Sequence, residues 1–129
     1  MPQTPTSPGL HLRYRIWIAE MNADINMLRI FDDHLNDLQA AKDDAQTKTI
    51  IETFKNQFEE FKKEMDDLKH EMHLLKMKLA ADAKEDKAMD KKLYKADNHS
   101  VLQKRYNIFR KQFSKMKTGF ELMKYNWIE

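Results

Sequence analysis

Hydrophobic residues recur at alternating spacings of three and four between positions 51 and 79, and polar residues fill the intervals between 54 and 72. This spacing persists for about four heptads and is typical of a helix that packs lengthwise on other helices. The stripe consists of Ile51, Phe54, Phe58, Phe61, Met65, Leu68, Met72, Leu75 and Leu79. It predicts a helix over about 47–81, and we interpret the stripe as core rather than as a ligand groove.

Two further stripes of similar length flank the central one along the chain. The first lies within about 10–42 and consists of Tyr14, Trp17, Met21, Ile25, Leu28, Phe31, Leu35 and Leu38. The last lies within about 98–128 and consists of Leu102, Tyr106, Phe109, Phe113, Met116, Phe120, Met123 and Trp127. Proline occurs only at positions 2, 5 and 8, so long helices can run uninterrupted.

Three helices of similar length with a short first loop favour antiparallel neighbours. We therefore predict an all-α fold in which three long helices form an up-down-up antiparallel, coiled-coil-like bundle. Residues 10–129 are expected to form a single domain behind a disordered tail over 1–9. The connection at 82–97 is either a loop or a segment with one short helix around Met89 and Leu93.

Polar residues near the predicted helix starts suggest N-terminal caps. Thr47 or Thr49 is a candidate cap for the second helix, and Thr49 with Glu52 matches the spacing of a capping box. Ser100 with Gln103 matches the same spacing at the third helix.

Two stretches, "WIAEMNADINMLRIFDDHL" and "FKNQFEEFKKEMDDLKHEM", resemble a group of small uncharacterised bacterial helical-bundle proteins. The resemblance covers most of residues 11–127 and rests on packing motifs. It implies a bacterial cytosolic protein with a bundle fold. It implies no activity, and no catalytic or binding residue is carried over from it.

The composition narrows the cellular setting. The chain has no cysteine, which excludes disulfides and thiolate metal sites and suits a reducing compartment. Its first ten residues lack the apolar core of a signal peptide, and no apolar run approaches the roughly 18 residues of a membrane span. We expect a cytoplasmic protein with no membrane contact.

His70 and His73 lie three residues apart, a spacing that allows two imidazoles to share a metal. Counted against the central stripe, however, both occupy outward positions. No Glu-x-x-His recurs on two helices, as helical metal centres require. The two histidines are therefore only weak metal candidates, and we expect neither a metal nor a cofactor.

Catalytic machinery is not indicated. Acidic pairs such as Asp43–Asp44 and Asp66–Asp67 fall on loops or polar faces, where carboxylates keep ordinary pKa values. No serine lies in a nucleophile motif, and no glycine-rich loop can hold phosphates. The sequence favours a protein that is not an enzyme.

The C-terminal third is basic although the whole chain carries only +2. Residues 84–129 carry twelve basic and six acidic side chains. Six basic residues and no acidic one lie between Asn98 and Phe120, namely Lys104, Arg105, Arg110, Lys111, Lys115 and Lys117. Weak nucleic-acid binding is one interpretation of this run. The other is that the basic third helix packs on the acidic first one.

The first helix carries a second apolar row, formed by Ile16, Ala23, Met27 and Ile30. At about 100° per residue this row lies nearly opposite Tyr14 and Met21. A helix that packs on one side only should be polar on the opposite side, where this row lies. We therefore expect this back face to bind a protein partner, most simply a second copy in a two-fold dimer. The alternative is that the connection carrying Met89, Leu93 and Tyr94 folds over Ile16.

Overall fold

The structure, a computed structural model, describes residues 7–84 and 96–126, with side-chain surroundings for 9–81 and 99–123. Three α-helices account for nearly all of these residues: α1 at Ser7–Ala41, α2 at Ala45–Lys84 and α3 at Ala96–Asn126. Only the three residues of the α1–α2 turn, 42–44, lie outside helices in the described ranges. The predicted all-α class with three long helices is confirmed.

The first helix begins earlier than predicted. Because α1 starts at Ser7, the expectation of a disordered tail over 1–9 is wrong for its last three residues, and residues 1–6 lie outside the described part. Pro8 explains the early start. A proline in the first helical turn loses no intrahelical hydrogen bond, and its φ is already helical. Ser7, just before this proline, is a residue type that is favoured at helix starts.

Both ends of α2 and the start of α3 differ from their predicted positions by two or three residues. The second helix extends to Lys84 and the third begins at Ala96, so the predicted connection at 82–97 shortens at both ends. Ser100 consequently lies inside α3, and its predicted capping role is wrong. The expected short helix around Met89 and Leu93 falls outside the described residues. The chain divides into two compact units, Met1–Ala88 and Met89–Glu129. That residues 10–129 form a single domain stays a prediction.

Asp44 caps the start of α2. Its backbone carbonyl accepts the hydrogen bond of the Lys48 N–H at 3.1 Å. The Thr47 hydroxyl donates to its carboxylate, and this bond is the main reason that the pKa of Asp44 lies below its ordinary value of 3.8; the Thr47 backbone N–H also donates to it. Thr49 instead bonds back to the Ala45 carbonyl at 3.0 Å. The predicted Thr47 or Thr49 caps are therefore wrong, because both residues lie inside α2 and Asp44 occupies the cap position just before it.

We predict that this cap makes stability depend on acid pH. A folded-state pKa below the unfolded value means that the contribution is present above the unfolded pKa and is lost as pH falls through the folded pKa. Asp44→Ala should lower the melting temperature at pH 7, whereas Asp44→Asn keeps an acceptor oxygen and should cost less. Melting curves between pH 2 and 6 should show a steeper acid loss for the parent than for Asp44→Asn. Equal slopes would contradict the cap.

The first two helices pack antiparallel within their unit. The Lys55 ammonium donates to the Asn36 side-chain oxygen at 2.7 Å, and the Lys69 ammonium donates to that of Asn22 at 3.2 Å. From the first pair to the second, the chain moves fourteen residues back along α1 and fourteen forward along α2. Fourteen residues are two heptads, so the two helices stay in coiled-coil register over about 21 Å.

The predicted stripes form the buried sides of α1 and α2. No stripe residue of these helices is exposed. Fully buried side chains in this unit are Tyr14, Met21, Leu28, Leu35, Phe58, Met65, Leu68 and Met72. The Phe31 and Phe58 ring centroids lie 6.2 Å apart across the two helices, within the range of favourable aromatic pairs. The interpretation of the central stripe as core is confirmed.

The third helix also has one buried side and one exposed side. Its buried hydrophobic residues are Leu102, Tyr106, Phe109, Phe113, Met116 and Phe120, all predicted members of the last stripe, and His99 near its start is buried as well. Neighbouring rings along this side contact one another, with the Phe109 and Phe113 centroids 5.7 Å apart. The Arg110 guanidinium lies 5.9 Å from the centroid of the Tyr106 ring, which holds that cation at the edge of the buried side.

Candidate interaction surface

The four residues of the predicted second row on α1 lie away from the core. Ile16 is 50% exposed and Ile30 is 61% exposed. Ala23 is also exposed, and Met27 is half-buried. A helix rises 1.5 Å per residue, so the row extends for about 21 Å along α1. The structure therefore places these side chains together on one surface of the helix.

Two further residues extend this row, and sequence reasoning missed both. Leu12, 55% exposed, lies four residues before Ile16, and exposed Ala19 lies three residues after it. The signal was present in the sequence, because both residues continue the alternation of three and four. We name the complete row the back strip; it consists of Leu12, Ile16, Ala19, Ala23, Met27 and Ile30.

The back strip covers a narrow sector of the helix. At about 100° per residue its six members lie within roughly 80° of one another, and buried Tyr14, Met21 and Leu28 project from the opposite side. Isolated exposed leucines and isoleucines are normal on protein surfaces. A continuous row over more than four turns is different, because contiguous apolar patches mark sites of protein contact.

Other exposed apolar residues do not form a comparable row. On α2, Leu74 and Met77 are exposed as an isolated pair. On α3, Val101, Ile108 and Leu122 are exposed on one side, but lysines interrupt them. In the described part of the chain, the back strip is thus the longest uninterrupted apolar row on a helix surface.

The structure divides the six basic candidates on α3. Lys104, Lys111 and Lys115 are exposed, and spacings of seven and four place them in one row. The other three, Arg105, Arg110 and Lys117, are half-buried on the flanks. An open depression runs beside the exposed row between Lys111, Lys115 and Leu122. Gly119 contributes to it, since a Cβ there would meet nothing within 4 Å.

The weak metal candidates are not brought together with further ligands. His70 and His73 are both exposed on α2. Within residues 7–84 and 96–126, no group of three or more His, Asp or Glu side chains has an arrangement that could hold a metal ion. The paired carboxylates Asp66 and Asp67 are likewise exposed.

Comparison with known proteins supplies no relative. No protein family model matches the chain, and neither a curated protein nor a solved structure was found to match it. The resemblance to small bacterial helical-bundle proteins therefore stays a prediction. None of the helices in the described ranges combines the length and the apolar character needed to cross a lipid bilayer.

Proposed function

We propose that this chain is a non-enzymatic interaction protein that self-associates through the back strip of α1. The observation that supports the proposal is the exposure of Leu12, Ile16 and Ile30, each at least half accessible to solvent on one side of the helix. Burying the exposed half of one such side chain contributes about 1 kcal/mol. Three such side chains on each of two copies together contribute about 6 kcal/mol toward association.

A two-fold dimer is the simplest assembly that covers the strip. In such a dimer each copy presents the same surface, so one apolar row satisfies both partners. The proposal includes no cofactor, no metal and no membrane contact. It places the protein in the cytoplasm, where a chain without cysteine loses nothing in a reducing environment.

Ile30→Glu tests the proposal directly. In a dimer each copy would bury a carboxylate among apolar side chains, which is strongly unfavourable without a partner charge. Sedimentation over a concentration series should show a reversible dimer for the parent protein. For Ile30→Glu the dissociation constant should rise by at least about tenfold, which corresponds to 1.4 kcal/mol.

Leu74→Glu provides the matched control, because Leu74 is a similarly exposed apolar residue on α2. This variant should dimerise like the parent, and all three proteins should melt at similar temperatures. A parent protein that stays monomeric at millimolar concentration would remove the proposal. So would an Ile30→Glu dimer as tight as that of Leu74→Glu.

Nucleic-acid binding through α3 is the second candidate. The supporting observation is the exposed row of Lys104, Lys111 and Lys115 beside the open depression on that helix. Lysines in a row can follow phosphates along a backbone, and such contacts release counterions. The low net charge of +2 limits the expected affinity.

The salt dependence of binding tests this second candidate. Replacing the three exposed lysines by glutamine should lower the slope of log affinity against log salt for duplex DNA by about 3, because each phosphate contact contributes about 0.9. A control that neutralises Lys48, Lys63 and Lys78, exposed on α2, removes the same charge elsewhere. Equal slopes for both triple variants would indicate nonspecific attraction and would exclude an α3 site.

A further inference from the structure

We propose that the back strips of two copies pair antiparallel, with Ala23 on the two-fold axis and Ile16 of each copy against Ile30 of the other. This inference rests on the proposed self-association and adds its geometry. The occupant of the strip is therefore a second copy of this chain in one defined register.

With one further position added, the back strip has a spacing that is the same when it is read from either end. His34, four residues after Ile30, continues the spacing; its side chain is half-buried, and its ring Nε2 is buried within the chain. From Leu12 to His34 the intervals are four, three, four, four, three and four. In an antiparallel two-fold pair, every member of the row therefore lies opposite a member of the row in the other copy. Ala23, at the centre, lies opposite the Ala23 of the other copy. A row made for an unrelated partner has no need of this symmetry.

Side-chain sizes also match in the antiparallel register. Ala23 faces its own copy at the axis, where two small residues let helices approach to the 8–10 Å of close packing. Ala19 of one copy faces the long Met27 side chain of the other, so a small residue meets a large one. A parallel pair would instead set Ala19 against Ala19 and Met27 against Met27, which leaves a gap beside a crowded contact.

Charges beside the strip favour the same orientation. Arg15 and Asp33, both exposed, lie on the same flank of the strip because they are eighteen residues, or five helical turns, apart. An antiparallel pair brings equal flanks together, so Arg15 of each copy comes near Asp33 of the other. A parallel pair brings opposite flanks together and would place Arg15 near the Arg13 of the other copy, which is a like-charge contact.

The size of the contact predicts a reversible association. The row from Leu12 to His34 extends for about 33 Å, and a helix is about 10–12 Å wide. Two copies together would bury roughly 700 Å², below the 1,200–2,000 Å² of stable interfaces. The dimer should therefore form in a concentration-dependent manner rather than as an obligate assembly.

Single cysteines can report the register, because the chain has none of its own. Ala23→Cys should form a disulfide-linked dimer by itself in a thiol–disulfide buffer. Ile16→Cys alone and Ile30→Cys alone should not, because equal positions lie about 21 Å apart in the antiparallel pair and a disulfide needs Cα atoms within about 7 Å. A mixture of the two variants should form the mixed dimer. Exposed Arg29, about 120° from the strip axis, provides the control Arg29→Cys.

Charge reversal gives an independent readout by sedimentation. Arg15→Asp should weaken the dimer, Asp33→Arg should weaken it, and the double variant should restore it. In a parallel pair Arg15→Asp would strengthen association, because it turns a repulsion into an attraction.

The outcomes separate this inference from the self-association on which it rests. Two results together would overturn the antiparallel register: Ile16→Cys links to itself as readily as Ala23→Cys, and Arg15→Asp tightens the dimer. If Ile30→Glu still disrupts that dimer, self-association stands. If every cysteine variant links only as fast as Arg29→Cys and the parent sediments as a monomer, self-association fails as well. Mixed-dimer formation by Ile16→Cys with Ile30→Cys, together with rescue by double charge reversal, supports the register.

Discussion

Leu68→Ala should lower the free energy of unfolding by about 2–5 kcal/mol, the usual cost of removing a buried leucine. Leu68 is completely buried, and Met65 and Met72 beside it on α2 are buried to the same extent. Truncation there removes apolar contacts and leaves a cavity that a close-packed stripe fills only in part. Urea denaturation followed by circular dichroism measures the change. An unchanged m-value would show that the variant and the parent expose the same surface area on unfolding.

Leu74→Ala is the matched control for this prediction. It is the same substitution on the same helix, but Leu74 is 53% exposed and lies outside the stripe. A surface change of this kind should alter stability by less than about 0.5 kcal/mol. Similar losses for the two variants would mean that the stripe is not the core of the α1–α2 unit.

The helices and their buried sides could be predicted from the sequence because many residues carry the same signal. Nine stripe residues on α2 agree on one side of one helix, and the result does not change although Phe54, Phe61 and Leu75 are only half-buried. Burial of apolar area is non-directional and roughly additive, so a repeated spacing is enough to find it.

The helix ends could not be predicted as well, because each depends on one or two local interactions. The start of α2 is decided by hydrogen bonds between Asp44 and Thr47, and a cap of this kind rests on only one or two such bonds. The sequence offered Thr47 and Thr49 as caps, and spacing did not point to Asp44, three residues before Thr47. Pro8 suits both the end of a tail and a first helical turn, so it does not by itself fix the start of α1.

Only part of the candidate site could be predicted from the sequence, because the remaining residues carry weak individual signals. Ile16 and Ile30 were found because they are large and lie opposite a clear stripe, whereas Ala19 is small and gives little signal by itself. Exposure of the basic residues on α3 depends on which flank each occupies. The sequence therefore grouped Arg105 and Lys117 with Lys104 and Lys111, and only the structure separated half-buried flanks from the exposed row.

Phe58→Ala should produce the second large effect, a loss of about 3–5 kcal/mol in the free energy of unfolding. Phe58 is 2% exposed, and its ring packs against two others. The Phe31 centroid lies 6.2 Å away across the helix pair, and the Phe54 centroid lies 6.1 Å away along α2. Removing the ring therefore costs both its burial and its aromatic contacts.

A double-mutant cycle on Phe31 and Phe58 then tests the register of α1 against α2. Leucine replacements remove both rings but keep most of the apolar volume, so all variants should stay folded. The cycle should give a coupling energy of about 0.5–1.5 kcal/mol, the typical worth of an aromatic pair beyond its burial.

Met21 lies ten residues, or about 15 Å, from Phe31 along α1. A control cycle of Met21→Leu with Phe58→Leu should therefore be additive within about 0.5 kcal/mol. Coupling that is equal in the two cycles would contradict the antiparallel register, because a slip of one heptad along either helix moves Phe31 away from Phe58 by about 10 Å.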